Sequence, residues 1–465
     1  MLNAILNTDS YKTSHFLQYP PGTKKVSSYI EARPVPGIDE VLFFGLQMFI
    51  LDYLCKRVTY ADIVEADAFC KLHGVPFNRA GWEIIVDEYD GYLPLEITAL
   101  PEGSVVPPGT PLVQVVNTDD RLAWLTSYVE TAMLRAVWYP STVATNSREV
   151  KKRIWAALLQ SSEDPAGAIP FKLHDFGARG TASYEQAGIG GCAHLVNFMG
   201  SDTITGVVYA NQFYGIEMAG FSIPAAEHST MTSWGRDREV DAYRNMLTSY
   251  PTGLVAVVSD SYDIYEAINS IWGETLKDEV LARDGVLVVR PDSGDPVEMV
   301  LFALESLGQS FGFRRNSKGY KVLNDKVRII QGDGVDKNSI GVIIDEMLDA
   351  EWSMDNVAFG MGAGLLQHVN RDTLRFAMKA SAIEGPEGWY GIQKTPKSDP
   401  GKASKKGIQH VIQTPGTSHY VVMGTDAPFD ALGEQLRPVY EMRPGWKSPR
   451  ITTTTFAEVR ARAGV

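Results

Sequence analysis

The strongest constraint on how this chain folds is a series of seven short, largely β-branched apolar runs, each breaking off at Gly, Asp, Arg or His. They are FKLHDFG (171–177), HLVNFMGSD (194–202), FSIPAAEHS (221–229), LVAVVSDSYD (254–263), VLVVRPDSGD (286–295), VRIIQGDGVD (327–336) and NVAFGMGAG (356–364). Amphipathic stretches of helical length separate several of them, such as SYDIYEAINSIW and DPVEMVLFALESLG. Continuous apolar strands alternating with helices indicate a parallel sheet covered on both faces. Polar residues at strand C-termini are what an α/β barrel gathers at its active face. A doubly wound open sheet also binds ligands at strand ends. Seven ends that carry chemistry, rather than two or three, favour the barrel.

The rest of the chain reads differently. VLFFGLQMFILDYL suits a buried helix, and LEITALPEGSVVPPGTPLVQVVN short strands with Pro-Gly turns. Loop chemistry marks two seams, SSEDPAG (161–167) and the Gly-, Pro-, Ser- and Lys-rich segment 384–407. A chain of 465 residues is too long for one ordinary core. The expected fold class is therefore α/β: an irregular TIM-like barrel domain over 166–383, and a mixed α+β domain from 1–165 completed by 384–465.

Composition removes several function classes. A formal net charge of -13 argues against a general nucleic-acid or anionic-membrane surface. Cys55, Cys70 and Cys192 are isolated, which suits a reduced, cytoplasmic setting. The N-terminal segment turns polar too soon for a signal peptide, and no run approaches the roughly 18 apolar residues of a spanning helix. HExxH and GxSxG are absent, and Gly401-Lys402 lacks a Walker A frame.

The strand ends supply the candidate chemistry. VLVVRPDSGDP (286–296) delivers Arg290, Asp292, Ser293 and Asp295 together. Arginine offers a planar fork for phosphate or an aromatic face, and Asp292 suits two ribose hydroxyls; an Arg-Asp pair on a tight turn is the plainer alternative. The glycines of QGDGVD (331–336) and FGMGAGLLQ (359–367) would expose backbone N–H groups to an anion. Phe176, Arg179 and Asp202 suit a flat heteroaromatic ring bearing an amide, although a buried Phe is commonly core. SDSYD (259–263) adds hydroxyls and two carboxylates, fit for magnesium through water or for a partner histidine. Glu227-His228 is open between a satisfied core histidine and a chemical participant. Lys394, Lys397, Lys402, Lys405 and Lys406 form a basic run, either a solvated face or a mobile clamp on a pyrophosphate or triphosphate.

In their order, the strings TDSYK (8–12), TVATNSRE (142–149), KLHDFG (172–177), PAAEHS (224–229), VVSDSYDIY (257–265), RPDSG (290–294), QGDGVD (331–336), GLLQ (364–367) and SKKG (404–407) resemble the nicotinamide phosphoribosyltransferase family of type II phosphoribosyltransferases, nearly end to end. The resemblance implies a homodimer with shared active sites. Phe176 would stack on nicotinamide, the partner subunit's Tyr11 would cover the other face, and Asp9 and Ser259 would join the substrate contacts. Asp202 would accept from the carboxamide; a carboxylate there repels nicotinate. Arg290 and Asp292 would hold the ring side and ribose. Gly332, Asp333, Gly362 and Ala363 would line the ribose and 5′-phosphate. Arg179, Lys394 and Lys402 would surround phosphates, with the partner's Arg371 and the partner's Lys379. His228 would be phosphorylated by ATP, oriented by Asp263 with Glu227 beside it.

The implied reaction displaces pyrophosphate from 5-phosphoribosyl-1-pyrophosphate by the nicotinamide ring nitrogen, with Mg²⁺ neutralising the leaving charge. Some positions depart from the family pattern: Met361 and Ala363 in the Gly-rich turn, Ala377 in place of a phosphate-binding serine, and Ala178 in place of an aromatic. These bear on nucleotide affinity and leave the proposed catalytic groups in place. The alternatives are a nicotinate phosphoribosyltransferase, a metal-assisted barrel enzyme using His174, Asp175, Glu227 and His228, and a non-catalytic protein that keeps the fold.

Overall fold

The computed structural model describes residues 3–399, 402–413, 420–428 and 432–464. The chain divides into two compact units, one of Met1–Thr145, Gln212–Ile216 and Asn370–Val465, the other of Asn146–Asn211 and Glu217–Val369. Both boundaries differ from the expected ones. The first falls inside the helix Glu130–Ser161, whose unbroken pattern hides it. The second falls before the strand Ala377–Gly385, which pairs with Lys25–Glu31 in the first unit.

The first unit is built on a seven-stranded antiparallel sheet. Its order is Gly388–Gly391, Ala377–Gly385, Lys25–Glu31, Pro111–Asn117, Leu95–Ala99, Arg437–Glu441 and Arg450–Ile451. Val26–Glu31 is buried throughout, because both faces of this central strand are covered. Trp82, Trp124 and Tyr128 meet edge to face within its main core, an arrangement that suits the ring quadrupoles.

The second unit carries a six-stranded parallel half-barrel sheet. In order its strands are Gly200–Ser201, Leu173–Asp175, Val357–Met361, Val327–Gln331, Asp284–Arg290 and Thr252–Val258. Two parallel bridges, Gly200↔Phe221 and Ala225↔Ala256, join the segment between them to both edges. All seven apolar runs thus meet side by side, and their polar ends emerge at one end of the sheet. Inward positions are filled by Ala256, Val288 and Ile330, with Phe176, Ile223 and Ala358 against them. A cavity of about 900 Å³ opens along this wall, where a closed barrel would be filled by layers of side chains.

The connecting helices start where aspartates cap them. Asp295 accepts from the N–H groups of Val297 and Glu298, both at 3.0 Å, and opens Pro296–Phe311 with proline in the first turn. Asp336 does the same for Lys337–Asp349, and Asp263 for the turn Ile264–Glu266, which runs on as a π-helical stretch, Ala267–Thr275. At the opposite end of the sheet, buried Lys172 donates to the carbonyls of Met354, Asp355 and Val357. Burial pulls its ammonium down to about 8. No helix among the described residues is long and apolar enough to cross a membrane.

Candidate active site

The first strand, Leu173–Asp175, pairs with Val357–Met361 on one side and Gly200–Ser201 on the other, so Phe176 emerges between the last and second strand ends. Its N–H donates to the Met361 carbonyl at 3.0 Å. Two glycines make the slot in which its ring lies. A Cβ at Gly360 would come within 2.0 Å of the ring, and one at Gly332 within 3.2 Å. Gly360, inside the strand Val357–Met361, and Gly332, just after Val327–Gln331, are therefore both pressed against an aromatic ring. Gly362 caps the short turn Ala363–Leu366, and Asp333 is exposed beside Gly332.

Asp202 follows the second strand. Its N–H donates to the Asp175 carbonyl at 2.9 Å, and the Ser222 hydroxyl donates to its Oδ1 at 2.5 Å. Phe176, Asp202 and Arg290 line the same cavity. An aromatic face, an exposed carboxylate and a guanidinium on a shared apolar wall fit a planar heterocycle with a hydrogen-bond donor at its edge. Arg179 is exposed on the turn Ala178–Gly180, held through Gln367, whose Nε2 donates to the Gly177 carbonyl at 2.7 Å.

Arg290 and Asp292 form both the ion pair and the strand-end constellation. The guanidinium NH2 lies 3.3 Å from Asp292 Oδ2, while the buried Arg290 Nε has no hydrogen bond. Burial raises the Asp292 pKa; Arg290 and His228 oppose this, and Asp260 and Asp333 add to it. These carboxylates therefore share one local field.

His228 opens the short helix His228–Thr232, with Glu227 as its N-terminal cap residue. Its Nε2 lies 3.0 Å from Asp260 Oδ1, and its Nδ1 lies 3.7 Å from Asp292 Oδ2. The Asp260 side chain is only 4% exposed, against 45% for the imidazole, and its Oδ2 accepts from the Ser293 hydroxyl at 2.5 Å. The orienting partner is thus Asp260 and not Asp263. Asp263 is consumed as a cap, accepting from Tyr265 and Glu266 N–H at 2.9 and 3.1 Å. Glu227 accepts from the Ser229 hydroxyl. Ser259 is corrected as well. It is fully buried, donating to the Val257 carbonyl at 2.9 Å and accepting from the Trp272 indole at 3.1 Å, so its only proton is spent inside the fold.

The four residues of the metal-assisted alternative do not converge. His174 Nε2 lies 3.1 Å from the Phe171 carbonyl, Asp175 holds the Gly177 N–H, and Glu227 and His228 are engaged as above. Among the described residues no group of three His, Cys, Asp or Glu side chains is gathered for an ion.

The remaining predicted residues lie in the first unit. Asp9 accepts from the Thr131 hydroxyl at 2.6 Å, and Tyr11 is 59% exposed with its ring edge to His15. Lys379 sits in a cationic cluster. Burial lowers its pKa; Glu130 opposes this, and Arg33, Lys12 and Lys394 add to it. Arg371 pairs with Asp372 at 2.9 Å and Lys402 with Asp399 at 3.0 Å. Lys405 is pinned to Glu31 over the Tyr29 ring, so the basic run is not a uniformly mobile clamp; Pro400 and Gly401 within it lie outside the described residues. Lys12, Arg33 and Ser222 were passed over in the sequence. Lys12 lies inside TDSYK, and the other two stand outside the motifs that carry the resemblance.

Comparison with known proteins places these features in a family. The model of the nicotinate phosphoribosyltransferase (NAPRTase) family matches residues 171–442, and that of the nicotinamide phosphoribosyltransferase N-terminal domain matches residues 3–97. A nicotinamide phosphoribosyltransferase of Xanthomonas campestris pv. campestris is 52% identical over 421 residues, 90% of this chain and 89% of that one. One from Acinetobacter baylyi is 32% identical over 88% of each chain. Among solved structures, nicotinate-nucleotide pyrophosphorylase from Pyrococcus furiosus superposes with a TM-score of 0.61 at 17% identity, covering 99% of this chain and 94% of that one. Human nicotinic acid phosphoribosyltransferase does so at 0.53 and 18%, covering 98% and 92%. These two likenesses concern the fold.

Proposed function

The chain belongs to the nicotinamide phosphoribosyltransferase family, and from that premise we propose that it joins nicotinamide to 5-phosphoribosyl-1-pyrophosphate, giving nicotinamide mononucleotide and pyrophosphate for NAD salvage. The observation that carries the reading is the shared cavity of Phe176, Asp202 and Arg290 at adjoining strand ends. Phe176 stacks on the pyridine ring, and Asp202 accepts from the carboxamide NH₂. The ring nitrogen then attacks C1 of the ribose as pyrophosphate leaves, through an oxocarbenium-like transition state that neighbouring carboxylates stabilise. Asp292, flanked by Asp260 and Asp333, supplies that negative field, and Arg290 fixes its carboxylate. Gly332, Asp333, Gly362 and Ala363 contact the ribose and 5′-phosphate. Arg179, Lys394 and Lys402, with the partner's Arg371 and the partner's Lys379, neutralise phosphates. The partner subunit's Tyr11 closes the ring site in a homodimer, to which Asp9 also contributes.

ATP stimulates the reaction by phosphorylating His228. With Asp260 on Nε2, the Nδ1 lone pair attacks the γ-phosphorus and ADP leaves. The phosphohistidine then adds about one to two negative charges beside the pyrophosphate site. Mg²⁺ would enter with the pyrophosphate group and supply charge neutralisation there. The two parallel bridges at the sheet edges support an irregular TIM-like α/β barrel as the second domain of a chain whose other domain is mixed α+β. Isolated cysteines support a cytoplasmic setting.

Nicotinate is the second reading, because one matching family model bears its name. The exposed Asp202 carboxylate opposes it, since nicotinate carries charge of the same sign. The test incubates the protein with nicotinamide or nicotinate, phosphoribosyl pyrophosphate and Mg²⁺, with and without ATP, and measures mononucleotide. Nicotinamide mononucleotide should form, faster with ATP, and Asp202→Asn should narrow the preference for nicotinamide. No mononucleotide from nicotinamide in either tube would overturn the reading.

A further inference from the structure

Asp175 is fully buried, and no role described so far uses its side chain. It is nevertheless tied to both residues assigned to the nicotinamide ring. Its Oδ1 accepts the Gly177 N–H at 2.7 Å, closing an Asx turn around Phe176. Its main-chain carbonyl accepts the Asp202 N–H at 2.9 Å. One residue therefore spans the stacking ring and the carboxylate at the ring's edge.

The surroundings are built to admit the carboxylate. Oδ2 is buried beside the Thr203 side chain, which partly offsets its burial, and looks onto Gly191 of the helix Tyr184–His194, where an added Cβ would lie 3.3 Å away. That same Cβ would stand 2.9 Å from Thr203 Cγ2, so only glycine leaves room. Burying a carboxylate costs free energy, and packing alone would be served by an apolar side chain. Without Oδ1, the buried Gly177 N–H loses its acceptor and the turn is free to relax. The slot beside Gly332 and Gly360 lets the Phe176 ring follow that movement while the strands stay paired.

We propose that Asp175 is a positioning residue for nicotinamide, setting the plane of Phe176 through the Gly177 amide while its carbonyl holds Asp202 at the carboxamide edge. This rests on the reading that Phe176 and Asp202 hold the ring. The test measures steady-state kinetics of the full chain for each substrate with the other saturating. In Asp175→Ala the nicotinamide KM should rise about tenfold or more, the penalty of a buried amide without an acceptor. The phosphoribosyl pyrophosphate KM should stay within about twofold and kcat within about threefold. Asp175→Asn keeps an oxygen acceptor and should restore the nicotinamide KM to within about threefold of wild type. Should Asp175→Ala fail to fold, Asp175→Val is the second non-accepting variant, and the same split is expected. Equal changes in both KM values, or an Asn variant as impaired as the non-accepting one, would overturn the proposal. Phe176→Ala, run alongside, separates the failures: if it leaves the nicotinamide KM unchanged, the ring assignment itself is wrong.

Discussion

Asp260 and Asp263 stand three positions apart in SDSYD, yet one is buried against an imidazole and the other caps a helix turn. The difference predicts opposite phenotypes. Asp260→Ala should cut ATP stimulation by roughly tenfold to a hundredfold, the range for a lost buried hydrogen bond to a charged group, with little change in melting temperature. Asp263→Ala should keep ATP stimulation and lose about 1 kcal/mol of stability, as a removed cap does. Parallel rate and melting measurements on the two variants check both. Asp175 adds a pH dependence. Burial pushes its carboxyl up to about 6 from an ordinary value of 3.8, partly opposed by the Gly177 amide. Because the folded value is raised, Asp175 supports the fold fully below about pH 4, and that support is lost as pH rises through about 6. Asp175→Asn should therefore exceed wild type in stability by up to about 3 kcal/mol at pH 8, with the gain shrinking toward pH 5. Denaturant titrations at the two pH values read this directly.

At the scale of elements, the strand ends decide what the site can hold. Gly360→Ala would drive a methyl group to within 2.0 Å of the Phe176 ring, so the ring must tilt or the strand must shift. The expected result is a nicotinamide KM raised about tenfold, together with about 1–3 kcal/mol of overpacking strain, seen by kinetics and by thermal melts. Five of the seven ends were legible in the sequence because each closes a parallel strand with an apolar run that stands out, whereas HLVNFMGSD supplies only Gly200–Ser201 and FSIPAAEHS only two isolated bridges. The helix Pro296–Phe311 was legible because Asp-Pro opens it and a glycine follows it. Which aspartates serve the site was not legible. Asp263, Asp295 and Asp336 are spent on amide groups two and three residues on, a local cap, whereas the pairing of Asp260 with His228 spans 32 residues and is set only by the tertiary arrangement. Ser259 reads as an exposed hydroxyl in sequence but is taken up by an indole from thirteen residues further on. The first unit boundary was hidden for a similar reason: helical periodicity carries no mark of which core each half joins.

At the scale of the whole molecule, the proposed homodimer makes one subunit's Tyr11 complete its partner's ring site. Mixing Tyr11→Ala with His228→Ala protein, each lacking the ATP-stimulated rate alone, should restore roughly a quarter of the wild-type ATP-stimulated activity once subunits exchange, because hybrids regain one intact site of two. Recovery that fails to appear in an exchanged mixture, checked by mass, would count against shared sites. The segmented make-up of the first unit has a further consequence, for synthesis. Lys25–Glu31 is a central strand, but its neighbour Ala377–Gly385 leaves the ribosome roughly 350 residues later, on the order of 20–70 s at ordinary elongation rates. Arg437–Glu441, the partner of Leu95–Ala99, follows later still. The half-barrel sheet, whose last strand ends at Met361, is complete before either arrives. The unit that begins the chain is therefore the last to close, and its central strand waits with one edge open, the state in which a nascent chain is most exposed to wrong pairing.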